Sequence, residues 1–263
     1  MRRYGYWQAI ALSFYSRDFY RDVRQNWGAN VILYLFLVLT LGWLPLLYAL
    51  QIKMNRELPP LVQAIGPQFP IVTIKNGIVS TPENKPYFIK DAKQKQLLAI
   101  IDTSGHYTNL DKTPANFLVT KSTLVSRTKD AVKVQTISTN FSAVLDPTAL
   151  SQRVLTFSQW LWIVLLPLFL LISGIYRLME SAVYAVIGKL YTVVTKFPEP
   201  KLTYASILKL TIVALTPVIF VNTIVASTVG SFPYQFALYF VIVMYYLYFA
   251  IKANRTKGLP TKI

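Results

Sequence analysis

The chain has 263 residues, of which 54% are hydrophobic and only 14% charged, and Lys and Arg exceed Asp and Glu by a formal charge of +16. Soluble domains usually carry about 25% charged residues, so the composition excludes a disordered protein and disfavours one that binds nucleic acid. The chain has no Cys and a single His, which excludes disulfides, iron–sulfur clusters, thiolate zinc sites and sites built from several imidazoles. We therefore expect a membrane protein without a metal or another cofactor.

Residues 1–28 contain five Arg and two Asp and precede the first apolar run. Aromatic residues share one helical face in the first half of this segment, and Arg residues follow in the second half. We expect a cytoplasmic amphipathic interfacial helix that orients the protein, with recognition of an anionic lipid or a partner as the alternative. Its predicted membrane contacts are Trp7, Phe14, Tyr15, Arg17, Arg21 and Arg24.

Three runs without a charge, residues 31–50, 154–176 and 210–251, are 20, 23 and 42 residues long. About 20 apolar residues cross a bilayer as one helix, so the first two runs predict one span each. The third run predicts two spans, because turn residues interrupt it at Ser227–Pro233. The first run is too long for the apolar region of a signal peptide, and we expect an anchor. The predicted transmembrane helices are residues 29–51, 155–177, 207–228 and 233–251.

Between the first two spans, residues 52–154 change character. Short β-like runs alternate with turn sequences, such as Asn76-Gly77, that are typical of antiparallel strands. The predicted strands are Phe69–Ile74, Leu97–Asp102, Phe117–Thr120 and Ala131–Ile137. The fold class is therefore an α-helical integral membrane protein with four transmembrane helices and an inserted small, mostly antiparallel β domain outside the membrane.

One string in this domain resembles a catalytic loop. Asp102-Thr-Ser-Gly105 is similar to the Asp-Thr-Gly of aspartic proteases, in which two Asp share a proton, although Ser104 intrudes and the chain holds no second copy. The favoured interpretation is a turn in which the Asp102 side chain binds the backbone two residues further on. A dimeric protease acting through Asp102 is the remote alternative.

Trp160 and Trp162 lie near the outer end of the second span, as an aromatic belt requires. After that span, residues 178–206 form a predicted cytoplasmic loop. Its segment 181–194 is apolar but short, and Lys189 interrupts it. We expect an interfacial helix there, or an extension of the second span, in preference to a fifth span.

The predicted spans contain no ionisable residue at their centres. Their notable residues are prolines and small polar side chains, which favour kinks and packing contacts, and Asn222 is expected to form a hydrogen bond between helices. Broken helices that line a transport site are the alternative interpretation. The residues in question are Pro45, Pro167, Thr216, Pro217 and Asn222.

Basic residues are concentrated in residues 1–28, in the 178–206 loop and in the tail, residues 252–263, and the positive-inside rule therefore places these segments in the cytoplasm. Residues 52–154 are also basic, with thirteen Lys or Arg against seven Asp or Glu. A loop of that length largely escapes the rule. The expected location is the cytoplasmic membrane of a bacterium, in contact with anionic lipids.

Several stretches resemble the uncharacterised bacterial membrane family labelled domain of unknown function 1189. The residues that carry the resemblance are Phe14–Val23, Ile74–Gly77, Lys85–Tyr87, Ile100–Gly105, Leu118–Leu124 and Tyr204–Pro217. The last helices are similar in pattern to the wider Yip1-like membrane group, which is associated with trafficking and membrane organisation. Some relatives carry a label that ties them to maltodextrin utilisation. The resemblance implies no activity, cofactor or catalytic residue.

The leading functional hypothesis is a non-catalytic scaffold or adaptor whose outside domain docks an envelope protein through residues 57–150. The alternative is a subunit of a system that transports lipid or a small solute such as maltodextrin. Neither hypothesis involves nucleic acid, and either is compatible with an oligomer.

Overall fold

The structure is a computed structural model, and it describes residues 2–91, 96–111, 113–128, 131–196 and 202–255. These residues divide into two compact units. The first unit is helical and comprises Met1–Leu50 and Trp162–Ile263, and the second unit is Gln51–Leu161.

The helices are α1 (Tyr6–Leu12), α2 (Arg17–Asn26), α3 (Asn30–Ile65), α4 (Pro147–Val194), α5 (Tyr204–Ala214), α6 (Thr216–Thr228) and α7 (Gln235–Ala253). The strands are β1 (Val72–Lys75), β2 (Ile78–Ser80), β3 (Tyr87–Lys90), β4 (Leu97–Ile101), β5 (Phe117–Val119), β6 (Thr123–Thr128), β7 (Ala131–Thr136) and β8 (Ala143–Leu145). A short 3-10 helix, Gly66–Gln68, follows α3.

Four helical segments in the described residues are long and apolar enough to cross a membrane. They are Asn30–Gln68, Pro147–Val194, Tyr204–Thr228 and Gln235–Ala253. Together with the small antiparallel sheets, they confirm the prediction of four long apolar helices and an inserted β region.

The helices that carry the first two predicted spans are longer than predicted. α3 ends at Ile65, fourteen residues after the predicted end of its span. α4 runs without a break from Pro147 to Val194, so the segment 181–194 is an extension of the helix rather than a separate interfacial helix. Lys189 lies within the continuous α4, and its ammonium group donates to the Leu202 carbonyl at 2.8 Å.

The third predicted span is divided into α5 and α6, which meet at Leu215. Pro217 lies in the first turn of α6. Its ring nitrogen has no hydrogen to donate to the preceding turn, which accounts for a break at this point. The span predicted at 233–251 corresponds to α7.

The predicted single helix over residues 1–28 is wrong. The segment forms α1 and α2, separated at residues 13–16, and the Ser16 side chain accepts a hydrogen bond from the Phe19 N–H and so caps α2. Phe19, Tyr20 and Trp27 are fully buried in the core of the helical unit. Sequence periodicity identified the exposed aromatic face of α1 and the turn after it. It did not identify the buried aromatic residues of α2 and its C-terminal end.

Polar contacts fix α2 on the helical unit. Arg21 Nε donates to the Ala253 carbonyl, and Lys209 Nζ donates to the Arg24 carbonyl, both at 2.8 Å. The buried Asp22 carboxylate accepts hydrogen bonds from Trp27 Nε1 at 2.8 Å and from the Arg3 N–H at 3.2 Å. A buried carboxylate is tolerated only when donors surround it, so these contacts explain its position.

The second unit contains two sheets, with strand orders β2-β1-β8 and β3-β4-β5-β6-β7. Neighbouring strands are antiparallel except β4 and β5, which are parallel. The four predicted strands correspond to β1, β4, β5 and β7, and the sequence analysis missed the others. Asn76 and Gly77 form the two-residue β1–β2 turn with φ of 53° and 76°. A side chain at Gly77 would lie 2.8 Å from the Ser138 carbonyl oxygen, so glycine is required there.

Apolar residues alternate along the strands and form two cores. One core contains Val72, Ile74, Val79, Ile89 and Ile101, with Ile65 of α3 packed against it. The other core lies around Ile100 and Leu118, which have the opposite parity along β4 and β5. Because successive strand residues point to opposite faces, the two cores lie on the two faces of the five-stranded sheet.

Gly188 provides a test of packing within the helical unit. A Cβ added there would lie 2.9 Å from Ile207 Cγ2 and 3.2 Å from Leu247 Cδ2. We expect Gly188→Val to destabilise the protein by about 1–3 kcal/mol through overpacking. Thermal unfolding in mild detergent measures the change. Val183→Leu enlarges an exposed residue of the same helix and should leave the midpoint unchanged, and equal midpoints for both variants would contradict the predicted packing.

Candidate functional site

The described residues form a cleft of about 470 Å³. It lies within the second unit, between the end of α3, the beginning of α4 and one face of the strands. Small-molecule sites usually occupy roughly 300–1,000 Å³, so the cleft is large enough to hold a ligand.

Each wall of the cleft follows from local sequence. On α3, Leu61, Val62 and Ile65 recur at helical spacing and face the cleft. In β1, the alternate residues Val72 and Ile74 line it. The remaining lining residues are Gly66, Phe69, Pro70, Ile101, Val119, Leu124, Ile137, Phe141, Leu145, Pro147, Leu150, Ser151 and Val154.

The lining is almost entirely apolar. Among these lining residues, Ser151 is the only one whose side chain carries a polar atom. A charged or strongly hydrogen-bonding group placed inside the cleft would lose its water without gaining partners, which is unfavourable. The interior therefore suits a hydrocarbon ligand.

Several lining side chains remain exposed to solvent. Leu61 is 46% exposed and Leu150 is 44% exposed, although both are large and apolar. A contiguous exposed apolar patch on a folded unit is typical of a surface that binds a ligand, a partner or a membrane. The cleft is accordingly the strongest candidate site of the second unit.

Asp102 lies outside this cleft, beside a smaller and more polar one of about 260 Å³. Its Oδ1 accepts a hydrogen bond from the Ser104 N–H at 2.7 Å, and its Oδ2 accepts one from the Tyr107 N–H at 2.5 Å. These bonds confirm the predicted turn, in which the side chain binds the backbone two residues on. The dimeric protease stays a prediction.

The electrostatics of Asp102 follow from the same contacts. Burial alone would raise the pKa of its carboxyl group, but hydrogen bonds from the Ser104 hydroxyl and from the N–H groups of Tyr107, Ser104 and Gly105 outweigh burial. The pKa is therefore lowered from its ordinary value of 3.8. The turn holds the carboxylate in its charged form.

The other predicted site residues are not among those that line the cleft. Trp7 and Tyr15 are exposed on the helical unit, and Phe14 contacts the Phe220 and Tyr246 rings. Arg17 lies over the Phe249 ring. Trp160 and Trp162 are exposed on α4.

Two of the predicted kink and packing residues contact neighbouring helices. The Thr216 hydroxyl lies 2.9 Å from the Tyr34 hydroxyl. Asn222 Oδ1 accepts a hydrogen bond from Gln235 Nε2 at 3.4 Å, which confirms the expected bond between helices. Pro45 lies within α3, and Pro167 lies within α4.

None of the residues that line the cleft was predicted from the sequence as a site residue. The end of α3 and the beginning of α4 were predicted to belong to the β domain, so the two helical walls were not recognised. A signal was present, because Leu61 and Ile65 on α3, and Leu150 and Val154 on α4, are spaced by four residues. In the described part of the chain, no group of three or more His, Asp or Glu could hold a metal ion.

The Asp102 turn predicts a pH-dependent contribution to stability. A lowered folded-state pKa gives stability that is present above pH 3.8 and is lost as the pH falls through the folded-state pKa. We expect Asp102→Asn to reduce the free energy of unfolding at pH 7 by about 1–3 kcal/mol. Denaturant unfolding of wild type and variant should show this difference shrinking below pH 3.8. A difference that is constant with pH would contradict the prediction.

Comparisons with known proteins give one result for the whole chain. Searches of curated proteins and of solved structures find no match. The similarity of the last helices to the Yip1-like group stays an expectation. The family model described as protein of unknown function (DUF1189) matches residues 7–251, which is nearly the entire chain. The chain therefore belongs to the DUF1189 family.

Proposed function

We propose that this chain is a multi-pass protein of the bacterial cytoplasmic membrane and that its second unit binds the acyl chain of a lipid, as part of a system that transports or transfers lipids. The observation that carries the proposal is the apolar cleft formed by α3, α4 and the strands. A protein of this kind handles its ligand by binding rather than by chemistry.

The chemistry of the lining selects among the ligand classes. Maltodextrin and other sugars present many hydroxyl groups, each of which must be hydrogen-bonded when it is buried. Ser151 alone among the lining side chains offers a hydrogen-bonding atom. An acyl chain needs no such partners and gains from leaving water, at about 0.8 kcal/mol for each buried CH₂ group.

The charge distribution supports the proposed orientation. Residues 1–28 and the 252–263 tail are basic, and the hairpin between the last two apolar helices carries no charge. The positive-inside rule puts the basic segments in the cytoplasm and the second unit on the opposite side. The cleft would then open on the outer side of the membrane.

Neighbouring residues of β8 provide a matched test. Leu145 lines the cleft and is 40% exposed, whereas Val144 does not line it and is 67% exposed. We expect Leu145→Asp to reduce acyl-chain binding at least about tenfold, because a short charged side chain in an apolar site is strongly unfavourable. Full-length protein is photolabelled with a diazirine fatty acid, and the labelled cleft peptides are quantified by mass spectrometry.

Val144→Asp introduces the same charge next to the cleft and should retain labelling within about twofold of wild type. Both variants should unfold at similar temperatures, since both positions are partly exposed. The absence of label from the cleft peptides of wild type would refute acyl-chain binding.

A second candidate function is the docking of an envelope protein through the edge of the five-stranded sheet. All six residues of β7 are exposed, and β7 pairs with β6 on one side only. Ile137 donates its N–H to the Ser122 carbonyl on the β6 side. In an antiparallel pair the bonding direction alternates, so Val132, Val134 and Thr136 present their N–H groups to the open edge, where an extended segment of a partner could add as a strand.

Proline at position 134 tests strand addition. Val134→Pro removes an N–H that points away from β6, so the sheet should remain intact while a docked strand loses a hydrogen bond. We expect photocrosslinking of a partner from position 133 in cells to fall at least about fivefold, consistent with the loss of a hydrogen bond worth roughly 1 kcal/mol together with the steric block by the ring.

Val134→Ala is the matched control, because it shortens the same side chain but keeps the N–H. It should crosslink like wild type. Equal crosslinking by the proline and alanine variants would exclude docking through the backbone of β7.

A further inference from the structure

The apolar walls of the cleft extend beyond it along both helices. On α3, Met54 and Leu58 continue the face of Leu61 toward the N-terminus, and on α4, Phe157 and Leu161 continue the face of Leu150 and Val154 toward the C-terminus. These positions recur every three or four residues, so each set forms one stripe along its helix. Phe157 is 59% exposed.

The two stripes run close together within the second unit. Gln51 Nε2 on α3 donates to the Ser158 carbonyl on α4 at 3.1 Å. At the other end, a Cβ added at Gly66 would lie 3.2 Å from the Ser151 hydroxyl oxygen. The helical segments are therefore neighbours from the cleft to the end of the predicted span 29–51 and the first turn of the predicted span 155–177.

The faces opposite the stripes carry polar residues. Arg56 and Gln63 on α3 are exposed, as are Gln152, Thr156 and Gln159 on α4. Each apolar stripe therefore has polar side chains on the other side of its helix.

We propose that the cleft is loaded directly from the bilayer along this paired stripe, which we name the seam and define as Met54, Leu58, Phe157 and Leu161. The ligand is then a bilayer lipid whose acyl chain moves from the membrane into the cleft while remaining on apolar surface. This inference rests on the proposed acyl-chain function and specifies the source of the ligand.

The physical reason is continuity of apolar surface. A lipid that reached the cleft through water would expose its whole acyl chain to solvent, whereas the seam keeps successive CH₂ groups in contact with side chains. The polar faces with Arg56 and Gln152 would remain at the level of the headgroups.

Phe157 is the position at which the route can be blocked without changing the cleft. We expect Phe157→Lys to reduce labelling of the cleft at least about fivefold when full-length protein in phosphatidylcholine vesicles is labelled by a phospholipid with a diazirine on its acyl chain. Gln159→Lys places the same charge on the polar face, at nearly the same depth, and should label within about twofold of wild type. Met54→Lys, on the α3 side of the seam, should behave like Phe157→Lys.

A second measurement distinguishes entry of the ligand along the seam from its binding in the cleft. The same variants in mild detergent are labelled with a short-chain, water-soluble diazirine fatty acid, which reaches the cleft from the aqueous phase. Phe157→Lys and Met54→Lys should then label like wild type.

Three results would overturn the inference: wild-type labelling of Phe157→Lys and Met54→Lys from vesicles, an equal loss in Gln159→Lys, or an equal loss of fatty-acid labelling. The first of these leaves the proposed acyl-chain function standing. That function fails separately if wild type labels in neither arm.

Discussion

Apolar surface at the C-terminal end of α3 and at the N-terminal end of α4 determines how the second unit is built. Its two sheets are small, and one of the two strand cores consists of five buried residues against which Ile65 of α3 packs. A small sheet is stable in water only when it has a hydrophobic face or packs against a helix. The ends of the helices supply that packing, and the part of their apolar surface that the strands do not cover becomes the wall of the cleft.

In the N-terminal segment, part of the apolar surface is covered by protein and part remains exposed. An aromatic helical pattern establishes which residues prefer to leave water, but it does not establish whether lipid or protein covers them. In α2, Phe19 and Tyr20 are covered by protein, and Asp22 is surrounded by donors inside the same region. In α1 and the turn after it, Trp7 and Tyr15 remain exposed. One short segment therefore combines a packed face and an open face.

The sequence predicts the features that depend on composition and on local periodicity. Uncharged runs identify the apolar helices, and short β-like runs between turn sequences identify four of the eight strands in the described residues. The missed strands are short, such as Ile78–Ser80, or rich in polar residues, such as Thr123–Thr128, so their pairing depends on neighbours distant in sequence. The Asp102 turn was predictable because the hydrogen bonds to the Asp102 carboxylate come from residues at most five positions away.

The cleft was not predictable in the same way. Its walls come from residues 61–74, 101–124 and 137–154, and no local pattern shows that these segments meet. The sequence analysis also took uncharged length as the measure of a helix, and so ended the first helix at residue 51. Charged residues such as Lys53 and Arg56 do not end a helix whose other face remains apolar, which is why α3 continues to Ile65.

Three of the basic residues of the 52–154 segment can be located relative to the cleft. Every residue that lines the cleft is uncharged, whereas Lys53, Arg56 and Arg153 are exposed on the helical segments beside it. Charge in this unit can therefore act on a lipid headgroup or on a protein surface, but not on a chain inside the cleft. Selectivity for the lipid headgroup and selectivity for the acyl chain would then depend on different residues. A substitution that alters one selectivity should therefore leave the other unchanged.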